Sequence, residues 1–450
     1  MPSTPDGATT KAALRRRAIA VLLLCAIGFA LTLDVFYPGI MTFDAAYVYA
    51  DIAKGFRGDW QSPVMTSLWQ LIDPLAPGPA SMFLFTVSLY WVAVILIGLT
   101  LARRSSLALA VPILAATPPA FCLLGIIWRD VLLAAAWLLA AALVFAAHSC
   151  GRSILRAAQA VALVLLALGV LLRPNAIPAA PLLVAYIVWP PGWRLKRSAI
   201  LYPIAFAAFV ALVPLIYYSA LDAKRQHPLH SLFVFDLGGI TYFTRDNQFP
   251  ADWTPEQTAL LTGRCYPTDK WDTYWFLEPC RFVMARLEAE KIFGSDTLVR
   301  AWRESVLRHP VAYLEHRATF MRTFLTGDNL VTWTEDIENR GRRVLPDRTA
   351  FTTMVAVQES LKPFWLFKPA VWLALALLLC AFAWRRRDTS SGAFLLGVNG
   401  SAAVYVASYF AFGVASDYRY AYWAAVAVLC SAPVLIATEA TNRNGVSDRA

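Results

Sequence analysis

Charge is scarce in this chain. Of 450 residues only 16% are Asp, Glu, Lys or Arg, while 58% are hydrophobic. Soluble domains carry about 25% charged residues and about 45–50% apolar ones. The shortage excludes a disordered chain and argues against a soluble enzyme. Histidine is rarer still, at five residues. No zinc-type Cys/His cluster, nucleotide-binding glycine loop, internal repeat or low-complexity run occurs. Short alternating strands are missing as well, which argues against a β-barrel.

What fills the chain is long apolar runs. A bilayer core needs roughly 20 mostly apolar residues as a helix, and runs of that size predict about ten spans. They fall near 17–36, 81–102, 105–125, 131–149, 157–173, 176–190, 198–220, 366–384, 391–413 and 420–438. The expected fold is therefore an all-α polytopic membrane protein. The fifth and sixth runs are short and flank Arg173-Pro174-Asn175, so they read as two crossings, one broken helix or two re-entrant segments.

The formal charge is +10. In a soluble protein that would point to nucleic acid; here the cations flank apolar runs, and topology explains them better. One set of connections holds Lys11, Arg15–Arg17, Arg103, Arg104, Arg152, Arg156, Arg194, Lys196, Arg197, Arg385–Arg387, Arg443 and Arg449. The short connections of the other set hold only Lys54, Arg57, Arg129, Arg173 and Arg419. The asymmetry predicts cytoplasmic termini and an outer face for the second set. It divides the chain into an N-terminal membrane module (1–220) with a first outer loop (37–80), a large outer loop domain (221–365) and C-terminal spans (366–450). Cys265 and Cys280 both fall in that domain and read as a disulfide in an oxidising compartment, or as two unpaired small residues.

Polar residues gather on the outer side of this topology: Asp44 after the first span, Trp128-Arg129-Asp130, Arg173-Pro174-Asn175 and Asp417-Tyr418-Arg419-Tyr420. Any one of them has a bland explanation, because an interface tolerates ionisable residues. Four together, opposite turns that hold only basic clusters, suggest a polar site. Residues 45–54 read as a surface helix capped by Gly55. Asp44 then sits at its N-cap, a sufficient reason for an Asp, or serves as a general base. Residues 58–63 read as a turn back to the bilayer.

The Pro38-Gly39…Asp44 segment, its surface helix and the Asp59-Trp60-Gln61-Ser62-Pro63 return resemble the first outer loop of GT-C glycosyltransferases. These polytopic enzymes use polyprenyl-phosphate-linked sugars outside the cytoplasm. The three short turns also look like bacterial members of that group, among them protein O-mannosyltransferases, aminoarabinose transferases of lipid A and arabinofuranosyltransferases. The chain departs from many of them in having Gln61-Ser62-Pro63 in place of a His-Pro return, and Asp44-Ala45 in place of two adjacent acids.

The resemblance implies a glycosyltransferase of the bacterial inner membrane. It would move a sugar from a polyprenyl-phosphate donor to a glycan, lipid or protein acceptor on the periplasmic face, with inversion, since one displacement needs one base. Asp44 would be the base. Arg129, Arg173 and Arg419 would hold phosphate, because guanidinium pairs with it bidentately. Tyr418 and Tyr420 would donate to phosphate or line the sugar pocket, or else belong to the interfacial aromatic belt. Asp130 would orient Arg129, share a divalent Mg²⁺ or Mn²⁺ with Asp44, or cap span four; two carboxylates leave the metal open. Asp59 would bind sugar hydroxyls or serve its turn. The alternative function is a transporter or flippase of a lipid-linked glycan using the same arginines.

In the large loop, Asp236 beside Gly238-Gly239 reads as a turn residue, with presentation to the cavity as the alternative. Trp271, Tyr274 and Trp275 suit sugar stacking or a small core. Residues 298–325 read as a helical pair whose His309 and His316 are solvated and not catalytic.

Overall fold

The computed structural model describes residues 7–190, 192–338, 341–344 and 348–443; Arg449 lies outside them. Its first half comprises α1 (Gly7–Phe36), α2 (Phe43–Lys54), α3 (Pro63–Ile72), α4 (Pro79–Ala102), α5 (Ala110–Ala115), α6 (Pro118–Leu124), α7 (Arg129–Ala147), α8 (Arg152–Leu172), α9 (Ala180–Val188) and α10 (Leu195–Pro214). The loop segment carries α11 (His230–Thr244), α12 (Pro255–Gly263), α13 (Thr273–Phe276), α14 (Phe282–Ala289), α15 (Asp296–Arg308), α16 (Pro310–Thr326) and α17 (Thr349–Leu361). Between α16 and α17 lies an antiparallel hairpin of β1 (Glu335–Glu338) and β2 (Gly341–Val344). The chain closes with α18 (Pro369–Trp384), α19 (Ser390–Phe412) and α20 (Tyr422–Arg443).

Among the described residues seven helices are long and apolar enough to cross a membrane, or eight if a bent pair counts as one span. That makes the chain a multi-pass helical membrane protein. The bent pair is α5 with α6, which meet at 49°. Pro118 and Pro119 cause the break, since proline offers no N–H to continue the α5 ladder. Of the remaining expected spans, the fifth is the unbroken 21-residue α8, the sixth contains only the nine-residue α9, and the eighth is the 16-residue α18.

The bundle centres on α7, with 89% of its apolar window buried; α10 has only 11% of its window buried. An apolar helix left that bare needs an apolar solvent. Polar side chains inside the bundle bond to one another: Asn399 Nδ2 donates to Ser431 Oγ at 2.9 Å, and Trp423 Nε1 to Ser401 Oγ at 3.1 Å. Such contacts join helices where apolar burial cannot.

One end of the bundle carries the basic clusters. There Arg103 Nη1 donates to Ser149 Oγ at 2.8 Å and Arg386 Nε faces Glu439 at 3.5 Å. The other end gathers the first loop, the loop segment and the turns before α7, after α8 and before α20.

The helical pair expected at 298–325 is α15 and α16, broken at His309-Pro310. Gly238 and Gly239, expected in a turn, lie inside α11 instead. The His316 ring explains the second: a Cβ on Gly239 would meet its Cγ at 2.2 Å. Helical Gly is unfavourable by about 1 kcal/mol, and here the close packing offsets it. Cys265 and Cys280 form a disulfide, and five cysteines are free. Denatured, unreduced protein should therefore take up five maleimides by mass spectrometry, and all seven cysteines should react after reduction. Seven adducts without reduction would refute the bridge.

Candidate functional site

The first loop is built by local signals. Gly55 ends α2 in the left-handed region at φ 63°, where a residue without Cβ is unstrained. Ser62 caps α3 by accepting from Met65 N–H at 3.3 Å, with Pro63 at the first helical position. Ser62 Oγ also donates to the Leu171 carbonyl at 2.8 Å and so ties the return turn to the end of α8. Ile40 pairs with Ile126 in a parallel bridge, which brings the loop against the start of α7.

Asp44 is not the N-cap. That position belongs to Thr42, whose hydroxyl accepts from Trp128 Nε1 at 2.9 Å and makes no capping bond. Asp44 is the second residue of the helix, within its first turn, and its carboxylate is held from two sides. Oδ1 accepts from Gln61 Nε2 at 3.1 Å, and Oδ2 accepts from Arg419 Nη1 at 2.6 Å. The side chain keeps 37% exposure, so it is reachable. Burial pushes its pKa up, but Arg419, then Arg129 and Arg173, outweigh burial and hold the carboxyl below its ordinary range.

The three turn arginines differ in how far they are committed. Arg419 also reaches Asp417 Oδ2 from Nε at 3.3 Å and donates from Nη2 to the Tyr420 hydroxyl at 3.0 Å. Its guanidinium lies over the Trp128 ring, 4.7 Å from the centroid. Arg173 pairs through Nη2 with buried Asp130 at 2.9 Å and donates to Tyr409 hydroxyl at 3.1 Å. Its Nε makes no hydrogen bond among the described residues. Arg129, half-buried between them, has no hydrogen-bond or ion-pair partner among the described residues. Three carboxylates face three guanidiniums, but Asp44 and Asp417 both serve Arg419, so Arg129 is left over.

Asp130 thus orients Arg173 rather than Arg129, and Trp128, not Asp130, is the N-cap residue of α7. The two tyrosines of the late turn part company. Tyr420 stacks on Tyr409 at 5.1 Å and lies under the Arg173 guanidinium at 4.9 Å, inside the cluster. Tyr418 is fully buried and donates to the Pro119 carbonyl at 3.2 Å, against Phe367 and away from the arginines. Asp59 is tied into its turn: Oδ2 accepts from Tyr218 hydroxyl at 2.8 Å and Oδ1 from Gln226 N–H.

Asp44 and Asp130, on which a shared divalent ion would depend, are held by different arginines. Among the described residues no group of three or more His, Cys, Asp or Glu could hold a metal.

Asp236 is fully buried in an ion pair with Arg317, with His316 Nε2 at 3.2 Å and Trp302 Nε1 donating at 2.8 Å. His316 is buried too, its Nδ1 2.9 Å from Tyr266 hydroxyl, and so is not the solvated residue its helix suggests. Arg317 Nη1 reaches beyond the loop segment to the Gly413 carbonyl at 2.7 Å, at the end of α19. Three backbone bonds continue this join: Trp271 N–H to Val414, Ser416 N–H to Asp269 and Tyr418 N–H to Asn329. Residues 413–418, which lead into the Asp417–Tyr420 turn, are therefore held by the loop segment at four points.

That join brings in Asp272, which sequence reasoning passed over. Its carboxylate is half-buried and has no hydrogen-bond or ion-pair partner among the described residues. Burial raises its pKa against the pull of Lys270, and Asp44 raises it further. Asp417 is also raised, by burial first, against Arg419. Tyr409 was likewise missed; its one signal is the Tyr405/Tyr409 pair, four apart on α19 and facing the same way. No family model, curated protein or solved structure matches the chain.

Proposed function

We propose that this chain is a GT-C-type glycosyltransferase of a bacterial inner membrane, moving a sugar from a polyprenyl-phosphate donor to an envelope glycan, lipid or protein. The observation that carries this reading is the unpaired Arg129 guanidinium beside the Asp44 carboxylate, at one end of an apolar helical bundle. In this reading the chain crosses about ten times, because the shorter α9 and α18 also connect the two ends. The arginine-rich end is cytoplasmic and the Asp44 end faces outward.

Arg129 and the open Nε of Arg173 bind the donor phosphate, and their charge offsets the charge that builds on it as it leaves. The acceptor hydroxyl gives its proton to Asp44. Its oxygen forms the new bond to the anomeric carbon as the bond to the phosphate oxygen breaks, and polyprenyl phosphate departs with that electron pair. When phosphate engages Arg419, the pull on Asp44 weakens. The carboxylate gains basicity as the acceptor must lose its proton. Bare apolar helix faces such as α10 suit a lipid tail and membrane lipids.

The test is mass spectrometry of envelope glycans, glycolipids and glycoproteins from a deletion strain. One sugar increment should disappear, return with the wild type, and stay absent with Asp44→Asn at matched protein level. Full restoration by Asp44→Asn would sink the assignment and bring forward a lipid-linked glycan transporter.

A further inference from the structure

We propose that the segment closed by the Cys265–Cys280 bridge is the acceptor subsite, and that the acceptor is a carbohydrate held by Asp272 and by the Trp60 and Trp275 rings. The inference rests on the transferase reading for the word acceptor; carbohydrate binding stands without it.

Four observations converge on this segment. First, Trp60, Trp271 and Trp275 form one aromatic group, with Trp60 5.8 Å from Trp271 and 5.2 Å from Trp275, centroid to centroid. Trp271 is buried and anchors the group; Trp60 and Trp275 remain partly exposed. Second, Trp60 immediately precedes Gln61, the residue that holds Asp44 Oδ1. Trp60 and the residue that holds the proposed base thus share one turn. Third, Asp272 sits between Trp271 and Thr273 with its carboxylate uncommitted, although every other acid of the cluster is paired. Fourth, the segment is fixed at both ends. The disulfide closes it, and the isolated Lys270–Ala415 bridge ties it to the segment entering the Asp417–Tyr420 turn.

These are the requirements of a sugar subsite. A pyranose or furanose ring offers an apolar C–H face and a rim of hydroxyls. An indole face takes the first, and a carboxylate with open lone pairs takes the second. Burial raises Asp272, so its carboxyl can also donate when protonated. A protein or lipid acceptor would need an extended groove or an apolar slot, and a single free carboxylate flanked by indoles provides neither. The donor side is distinct, because its chemistry is the guanidinium of Arg129.

The experiment is saturation-transfer-difference NMR on the full chain in lipid nanodiscs. The probes are methyl α-D-glucopyranoside, methyl α-D-mannopyranoside and methyl α-D-arabinofuranoside. At least one should receive saturation, strongest on its ring C–H protons. Asp272→Asn should weaken apparent binding about tenfold, as expected for a lost charge-assisted hydrogen bond. Trp275→Ala should abolish it and Trp275→Phe should retain part of it. Arg103→Ala, at the opposite end of the bundle, should leave it within about twofold. Maleimide protection of Cys265 and Cys280 verifies that each variant keeps the segment folded.

Saturation of none of the three glycosides overturns the proposal, as does equal saturation in wild type, Asp272→Asn and Trp275→Ala. Loss in Arg129→Ala with retention in Asp272→Asn would move the sugar to the donor side and overturn it as well. A deletion strain with unchanged envelope glycans would count against the transferase reading alone and leave the NMR result standing.

Discussion

Arg129→Ala should lower the rate of sugar transfer about 10²–10³-fold, the loss measured when one preorganised donor to developing charge is removed. The readout is incorporation of the sugar named by the deletion strain into its acceptor, in membrane vesicles at matched protein level. The effect should be catalytic rather than structural. Arg129 makes no hydrogen bond or ion pair among the described residues, so its removal leaves no buried partner stranded. Thermal stability should stay within about 0.5 kcal/mol, the range of a substitution that breaks no named contact. Arg129→Lys should recover only part of the rate, since an ammonium lacks the planar fork. Arg419→Ala makes the contrast, because it strands Asp44 and Asp417 together and should cost stability as well as rate. Wild-type transfer by Arg129→Ala would remove the phosphate assignment.

Arg317→Ala should be the most damaging single change in the chain. Asp236, His316 and Arg317 are all without solvent exposure. Removing the guanidinium leaves an uncompensated buried carboxylate, a loss of about 3–5 kcal/mol. The variant should accumulate poorly, and its loop segment should be cut by trypsin under conditions where the wild type resists. Replacing both partners, Asp236→Asn with Arg317→Met, should be milder than either single loss, because no net charge is stranded. The sign of the pH dependence follows from the same triad. Burial alone would raise the Asp236 carboxyl, but Arg317 and His316 outweigh burial and hold it below its ordinary range. Its contribution is complete above the unfolded-chain value and fades only as pH falls through the depressed one. Asp236 therefore keeps its contribution in mild acid, whereas His316, whose pKa burial lowers, withdraws stability as pH falls below the free imidazole value. Protease resistance that fails between pH 5 and 6, about one to two units above an ordinary carboxyl, would show that Asp236 does not govern it.

Much of this molecule was legible because its signals are local. Apolar runs located the helices, Gly55 and Ser62-Pro63 bounded the first loop, and two cysteines without rivals located the bridge. The four polar turns were legible as a set. Their internal wiring was not, because it depends on partners far apart in the chain: Asp44 meets Arg419 across 375 positions and Arg173 meets Tyr409 across 236. No local pattern distinguishes Tyr418, which faces the core, from Tyr420, two residues on, which faces the arginines. The N-cap position predicted for Asp44, alongside its role as the base, belongs to Thr42; the sequence misleads there because Asp is a favoured capping residue. Asp236 reads as a turn residue because two glycines follow it, and only the Tyr274 ring packed on Gly238 and the His316 ring packed on Gly239 explain them.

The four-point join between residues 413–418 and the loop segment also sets where the chain can be cut and recombined. A chimera that exchanged 221–365 for an unrelated outer domain, but kept the native 413–418, would lose the hydrogen bonds to Gly413, Val414, Ser416 and Tyr418 at once. Arg419 would then reach Asp44 from an unsupported tether. The unit of exchange is discontinuous: the outer domain and the six residues before Arg419 must travel together, though about fifty positions of chain, mostly helix, lie between them.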